Sequence, residues 1–329
     1  MNKVLVTGAT TFLGYHVTRR LNELGIRPHV LELPGSNAGP LTTVDVERCA
    51  GDLSNSSAVV AACNGVDTLL HTAFKVSVGG GTELLDEMRR INVDGTGRLL
   101  DVAAAAGVSR AVVTGSALAV GVNRRPEPLT ETADWSKHAF DFPYAVIRRE
   151  AEQAALSRAR PGFIVSSVAP AFTLGPDDPV GAPANKLVKA VINGKLPFTL
   201  PVGFGCLDVR DFASGMVLAG DRGGSGQRYL LSGENVMTRD FLAQAAAVAG
   251  VKPPRFPLPP FLLHVVVAAV EGVSALRRKP APITRSVLQI IGRYAWYDTT
   301  RAQRELGWSA RPLRQTLEDT IAWLRQHPT

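Results

Sequence analysis

Short apolar runs separated by amphipathic stretches organise the first half of the chain. The runs at 3–7, 28–33, 45–49, 66–72, 110–115 and 163–168 predict strands, and the stretches near 12–24, 54–63, 82–106 and 143–159 predict helices. In the first of these helices Leu13, Val17, Leu21 and Leu24 form an apolar stripe suited to packing on a sheet. Strands alternating with helices imply an α/β fold, a Rossmann-type doubly wound parallel sheet with crossover helices. After Pro170 the alternation fades and Pro and Gly become frequent. Helices are expected near 184–193, 211–220, 238–249, 258–277 and 312–326, with a strand at 227–231 returning to the sheet. The expected division is therefore 1–170 plus strand 227–231 for the sheet domain. An interleaved helical and loop-rich unit follows over 171–329.

Composition narrows the classes. With 329 residues, 45% hydrophobic and 20% charged, the chain has enough apolar surface for a large core and too little charge for disorder. The net charge of +7 comes from scattered arginines and not from a basic block interleaved with aromatics, so a nucleic-acid groove is not expected. Cys49, Cys63 and Cys206 lack the spacing of a disulfide framework or zinc site, so no metal is expected. The N-terminus runs directly into a strand without the pattern of a secretion signal, and a cytoplasmic location is the expectation. The apolar run Phe261–Val270 is too short to cross a bilayer, so stable membrane insertion is not expected.

Candidate chemistry begins at the end of the first strand, in Gly8-Ala9-Thr10-Thr11-Phe12-Leu13-Gly14. A glycine turn between a first strand and a first helix aims the unpaired helix N-terminal amides outward, a site for a pyrophosphate. Gly8 permits the turn and Gly14 lets the helix lie close to the sheet. Thr11 stands where the usual pattern has its middle glycine, adding bulk at the closest approach and a hydroxyl able to donate to phosphate. Eighteen positions beyond Gly14, Glu32 ends the second strand, where a carboxylate accepts bonds from ribose hydroxyls and repels a 2′-phosphate. NAD is thus the expected cofactor, ahead of NADP. A solvated strand-end glutamate is the plainer alternative.

These residues, with others further along, resemble the extended short-chain dehydrogenase/reductases. The likeness is greatest to the branch holding 3β-hydroxysteroid dehydrogenases, dihydroflavonol reductases and hopanoid-associated epimerase-like proteins. It spans nearly the whole chain through Gly51-Asp52-Leu53, Asp67 with His71-Thr72-Ala73, and Asn92-Val93-Asp94-Gly95-Thr96. Pro170, Gly175-Pro176, Ala302 and Glu305-Leu306-Gly307-Trp308 continue it. The resemblance implies cofactor contacts from Gly8, Thr10, Thr11, Phe12, Leu13, Gly14, Glu32, Asp52 and Leu53. It implies further contacts from His71, Ala73, Phe74, Asn92, Tyr144, Arg148 and Pro170. Pairing into a homodimer through the helices at 82–106 and 143–159 is implied as well.

The same resemblance assigns chemistry to Ser116, Tyr144 and Arg148. In the family a serine and a tyrosine face one substrate oxygen, the tyrosine moves its proton, and a lysine four residues on supports the tyrosine. Spacing of i, i+4 stacks the two side chains on one helix face. Here that fourth residue is Arg148. It keeps the positive charge, but its planar guanidinium has a different reach and does not release a proton. Taken singly, Tyr144 could be a helix-start tyrosine, Ser116 a loop serine and Arg148 a surface charge. Asp211 reads as a helix cap.

Phe74, Leu118, Phe172, Thr173, Phe204 and residues 184–200 are expected to line the substrate side, which favours a small-molecule ketone or secondary alcohol on an apolar body. Lys186, Lys189 and Arg210 could instead anchor a nucleotide sugar. The stretch 253–285, with Arg277, Arg278, Lys279 and Arg285, reads as a lid or core-packing helix, or as one touching a membrane surface. An NAD(H)-dependent oxidoreductase is the first expectation. A redox-neutral epimerase, dehydratase, lyase or cyclase is the second, and a dinucleotide-binding sensor without turnover the third.

Overall fold

The computed structural model describes residues 1–37, 39–76, 81–138, 140, 142–196, 198–254, 256–257, 259–277 and 285–327. Its first six strands are β1 (Val4–Thr7), β2 (His29–Glu32), β3 (Glu47–Ala50), β4 (Thr68–His71), β5 (Arg110–Thr114) and β6 (Ile164–Pro170). Shorter strands follow as β7 (Phe172–Leu174), β8 (Phe198–Thr199), β9 (Gly203–Asp208), β10 (Arg228–Leu231), β11 (Asn235–Met237), β12 (Phe256–Pro257) and β13 (Tyr294–Ala295). Seven of them form one sheet in the order β10-β6-β5-β4-β1-β2-β3, with every neighbouring pair parallel. The chain reverses its direction of travel across the sheet between β1 and β4, which opens a crevice beyond their carboxyl ends.

The helices are α1 (Phe12–Glu23), α2 (Ser56–Ala62), α3 (Thr82–Arg89), α4 (Thr96–Ala105), α5 (Trp135–His138) and α6 (Pro143–Leu156). Further on come α7 (Pro183–Ile192), α8 (Val209–Arg222), α9 (Thr238–Ala249), α10 (Pro260–Leu276), α11 (Thr300–Leu306) and α12 (Leu313–Gln326). Alternation along β1 sets the two layers: Val4 and Val6 enter one core with Val17, Leu21, Phe212 and Met216, while Leu5 enters the other with Leu69, Leu99 and Leu100. Burial on both faces explains why the inner strands β1, β4 and β5 read as continuous apolar runs.

Two features depart from the sequence pattern. The single helix expected over 82–106 is interrupted by a π-helical segment, Arg90–Gly95, which sits between α3 and α4. Helices α8 and α11 come from the second half of the chain but pack on the sheet beside α1. Phe212, Met216 and Ala219 of α8 join Ala302, Leu306 and Trp308 against it. The rest of that half builds its own core, in which α7, α9 and α12 enclose Phe241, Leu242, Leu317 and Ile321 beside the small four-stranded sheet of β7, β9, β11 and β13.

Candidate active site

The crevice at the sheet reversal is framed by the turn after β1 and the exit of β4. Gly8 has φ of +77°, and a Cβ there would stand 2.6 Å from the Ala73 amide nitrogen. At Gly14 a Cβ would lie 2.0 Å from the Gly8 carbonyl oxygen. Both positions therefore require glycine, one for its backbone angle and both for close approach. Thr11 caps α1: its hydroxyl donates to the Gly8 carbonyl at 2.8 Å and accepts from the Gly14 amide at 3.1 Å. In this structure the Thr11 proton is therefore engaged within the turn. Half-buried Thr10 precedes it, and the Phe12 and Leu13 amides give no hydrogen bond among the described residues, leaving two donors at a helix N-terminus.

Glu32 ends β2 half-buried, with a carboxylate oxygen 3.8 Å from the Arg48 guanidinium. Asp52 is exposed and accepts from the Ser54 amide at 2.7 Å, which holds its carboxyl below the usual carboxylate range. Leu53 packs beneath it, and Pro170 closes β6 half-buried.

At the exit of β4, His71 is fully buried. Its Nδ1 lies 2.6 Å from the Thr7 hydroxyl and its Nε2 3.0 Å from that of Thr96. Burial, aided by the Arg148 charge, pushes its pKa down to about 3. The ring is thus a neutral brace between β1, β4 and α4. Asn92, in the π-segment, clamps the Lys75 backbone from both sides, accepting from its amide at 2.9 Å and donating to its carbonyl at 2.8 Å. The extra residue of a π-turn re-aims one side chain, and here the re-aimed chain fixes the loop carrying Ala73 and Phe74.

A pH effect follows from the buried histidines. His16 on α1 bonds the Pro176 carbonyl at 3.1 Å, and burial pushes its pKa down to about 4. Both folded-state values lie below the ordinary 6.5, so the unfolded chain takes up protons first as pH falls. Their contribution to stability is complete above that value and is lost on acidification. Denaturant unfolding should therefore show a loss on the order of 5 kcal/mol between neutrality and about pH 4.5. The double variant His16→Gln/His71→Gln should flatten that slope; an unchanged slope refutes the assignment.

Ser116 follows β5 in extended backbone (φ −148°, ψ 134°) and caps a 3₁₀ turn, Ala117–Val120. Tyr144 is the second residue of α6, whose start is fixed by Pro143. The α6 helix packs against that turn, and Tyr144 shares an apolar cluster with Leu118, Phe140 and Phe142. Among the described residues neither the Ser116 nor the Tyr144 hydroxyl has a hydrogen-bond partner.

One turn along α6, Arg148 is only 3% exposed. Its Nη2 donates to the carbonyls of Thr114 at 2.6 Å and Gly115 at 2.5 Å, the two residues preceding Ser116. The guanidinium carbon lies 3.7 Å from the centre of the Phe74 ring. Its Nε and Nη1 are buried without a partner among the described residues. Burial lowers its pKa, opposed by attraction to Tyr144 and Glu152. Two orphaned buried donors beside a glycine-built crevice with free helix amides fit a ribose and pyrophosphate. Among the described residues no group of three His, Cys, Asp or Glu could hold a metal.

Comparison with known proteins decides the family. The family described as NAD dependent epimerase/dehydratase matches residues 4–232. The chain belongs to it. Sterol demethylase protein B of Methylococcus capsulatus is 30% identical over 98% of this chain and 98% of its own length. The decarboxylating sterol-4-alpha-carboxylate 3-dehydrogenase of Mus musculus is 25% identical over 97% of this chain and 89% of its own. The crystal structure of gox2253 superposes with a TM-score of 0.86 at 31% identity, covering 100% of this chain and 99% of that one. The resemblance to extended short-chain dehydrogenase/reductases holds, the protein is an enzyme of the epimerase/dehydratase family, and its cofactor is NAD.

Two sequence expectations are revised. Asp211 is not the cap of its helix. Asp208 caps α8, accepting from the Arg210 amide at 2.8 Å, while Asp211 pairs with Arg311 at 2.8 Å. Arg210 is held by Asp208 and Asp319, each at 2.7 Å, and so is not free to anchor a diphosphate. Phe172 and Phe204 pack edge to face at 5.0 Å. Arg278 and Lys279 lie outside the described residues. The Phe74–Arg148 stack and the Thr7 and Thr96 braces were missed. Thr96 closes the Asn92–Thr96 motif, so that motif was the signal available.

Proposed function

We propose that this enzyme interconverts a secondary alcohol and a ketone on a largely apolar substrate, with NAD(H) as redox partner. The observation that carries the reading is the pair of unengaged hydroxyls, Ser116 and Tyr144, set beside a buried cation that grips the strand end before Ser116. Ser116 donates to the substrate oxygen and orients it. Tyr144 gives a proton to that oxygen in the reducing direction and takes it back in the oxidising one. Arg148 favours the negative charge that Tyr144 carries between those events and holds the Thr114–Gly115 backbone, so that Ser116 is presented in one geometry. When bound, the nicotinamide supplies or accepts the two electrons at the adjoining carbon. Gly8, Thr10, Thr11, Phe12, Leu13 and Gly14 would hold the pyrophosphate through backbone, and Glu32, Asp52 and Leu53 the adenosine. Arg148 Nε and Nη1 would donate to the nicotinamide ribose.

An apolar substrate is supported by the apolar cluster of Leu118, Phe140 and Phe142 around Tyr144, by the commitment of Arg210 to carboxylates, and by relatives named for sterols. The test is turnover of a panel of cyclic and steroidal ketones with NADH. The expected result is one NADH oxidised per ketone reduced. Conversion of a nucleotide sugar without net NADH change, together with no ketone turnover, overturns it.

Glu32 gives a separate expectation. Glu32→Ser removes the charge opposing a 2′-phosphate and leaves Arg48 to attract one. The NADPH-to-NADH ratio of kcat/KM should rise about 10–100-fold. An unchanged ratio places Glu32 outside the ribose site.

A further inference from the structure

Helix α10 carries an almost wholly apolar sequence, yet it is barely packed. Among its described side chains only Val267 is buried, whereas Val265 is 61% and Leu276 87% exposed. Leu262, Val265, Ala269, Gly272 and Leu276 recur at alternating steps of three and four, so they form one stripe, and all are exposed. The surface continues before the helix, where Phe256 pairs in register with Phe198 across the β8–β12 ribbon and stands 63% exposed. Isolated exposed apolar residues are ordinary; a continuous stripe extended by two aromatic rings marks a contact surface.

Charge selects the occupant. Between residues 251 and 296 the sequence holds seven Lys and Arg against a single acidic residue, Glu271. Of these bases, Lys252 lies exposed before the helix and Arg277 exposed just after it. Two copies meeting through this face would bring like charges together with almost nothing to offset them. An anionic surface meets both requirements at once. Among the described residues no helix is long and apolar enough to cross a membrane.

We propose that α10 and the Phe198–Phe256 ribbon dock on an anionic phospholipid bilayer, the helix lying in the plane of the interface. The apolar stripe enters the headgroup–acyl boundary, the two phenylalanines sit beside it, and the flanking bases meet lipid phosphates.

The test is co-sedimentation of the full chain with vesicles of phosphatidylcholine alone and of equimolar phosphatidylcholine and phosphatidylglycerol. Binding to the anionic vesicles and its reversal by salt are expected, with little binding to the neutral ones. Val265→Asp/Leu276→Asp should weaken partitioning at least about ten-fold, and Arg277→Ala about five-fold. All of these positions are exposed, so melting temperature and NADH binding should stay at wild-type values. Absence of binding to anionic vesicles, or binding untouched by the double substitution, overturns the proposal. So does a dimer in light scattering that the double variant splits while vesicles stay unbound.

Discussion

Tyr144→Phe should lower kcat by about 10²–10⁴-fold, the range in which positioned proton transfer contributes, while NADH affinity and melting temperature stay close to wild type. The substitution removes one oxygen that has no partner among the described residues, so no buried donor or acceptor is stranded by its loss. The ring remains beside Leu118, Phe140 and Phe142. A rate change confined to kcat identifies the phenol as acting on the reacting oxygen. Wild-type turnover by the variant, or a collapse in stability that accounts for the lost rate, sinks the assignment of Tyr144.

Arg148→Met should reduce kcat by about 10²–10³-fold, the scale of losing a charged donor that positions a reacting group. Two effects combine. The Thr114 and Gly115 carbonyls lose the donor that fixes the strand end before Ser116, and the crevice loses its buried cation. Arg148→Lys separates them, because a single ammonium keeps the charge but cannot reproduce the planar fork. It should recover most of the rate, and its pH–rate profile should resemble wild type, while that of Arg148→Met moves to higher pH. A merely structural arginine would change melting temperature without moving that profile. A wild-type kcat in Arg148→Met refutes the positioning role.

The inner strands of the main sheet were legible because they are buried on both faces and so read as apolar runs, whereas the edge strand β3, Glu-Arg-Cys-Ala, is mostly exposed. The glycine turn was legible because Gly8 and Gly14 answer to backbone contacts that no other residue permits. What could not be read was direction. The spacing of Tyr144 and Arg148 places both on one helix face, but whether a long guanidinium reaches outward or back to Thr114 depends on the end of β5. The hydroxyl of Thr11 similarly had two acceptors within reach, and only the turn geometry selects Gly8. The small sheet escaped because β9, Gly-Phe-Gly-Cys-Leu-Asp, has glycines where strand signals are sought. The placement of α8 was hidden because its apolar stripe does not reveal which sheet it faces.

The Thr11 cap has a kinetic corollary. Since its hydroxyl already ties Gly8 to Gly14, the phosphate cradle holds its shape before any coenzyme arrives, and little ordering entropy is lost on association. Coenzyme exchange should therefore proceed as single-step docking, with an observed rate that climbs linearly with dinucleotide concentration in stopped flow and reaches no plateau from a preceding rearrangement.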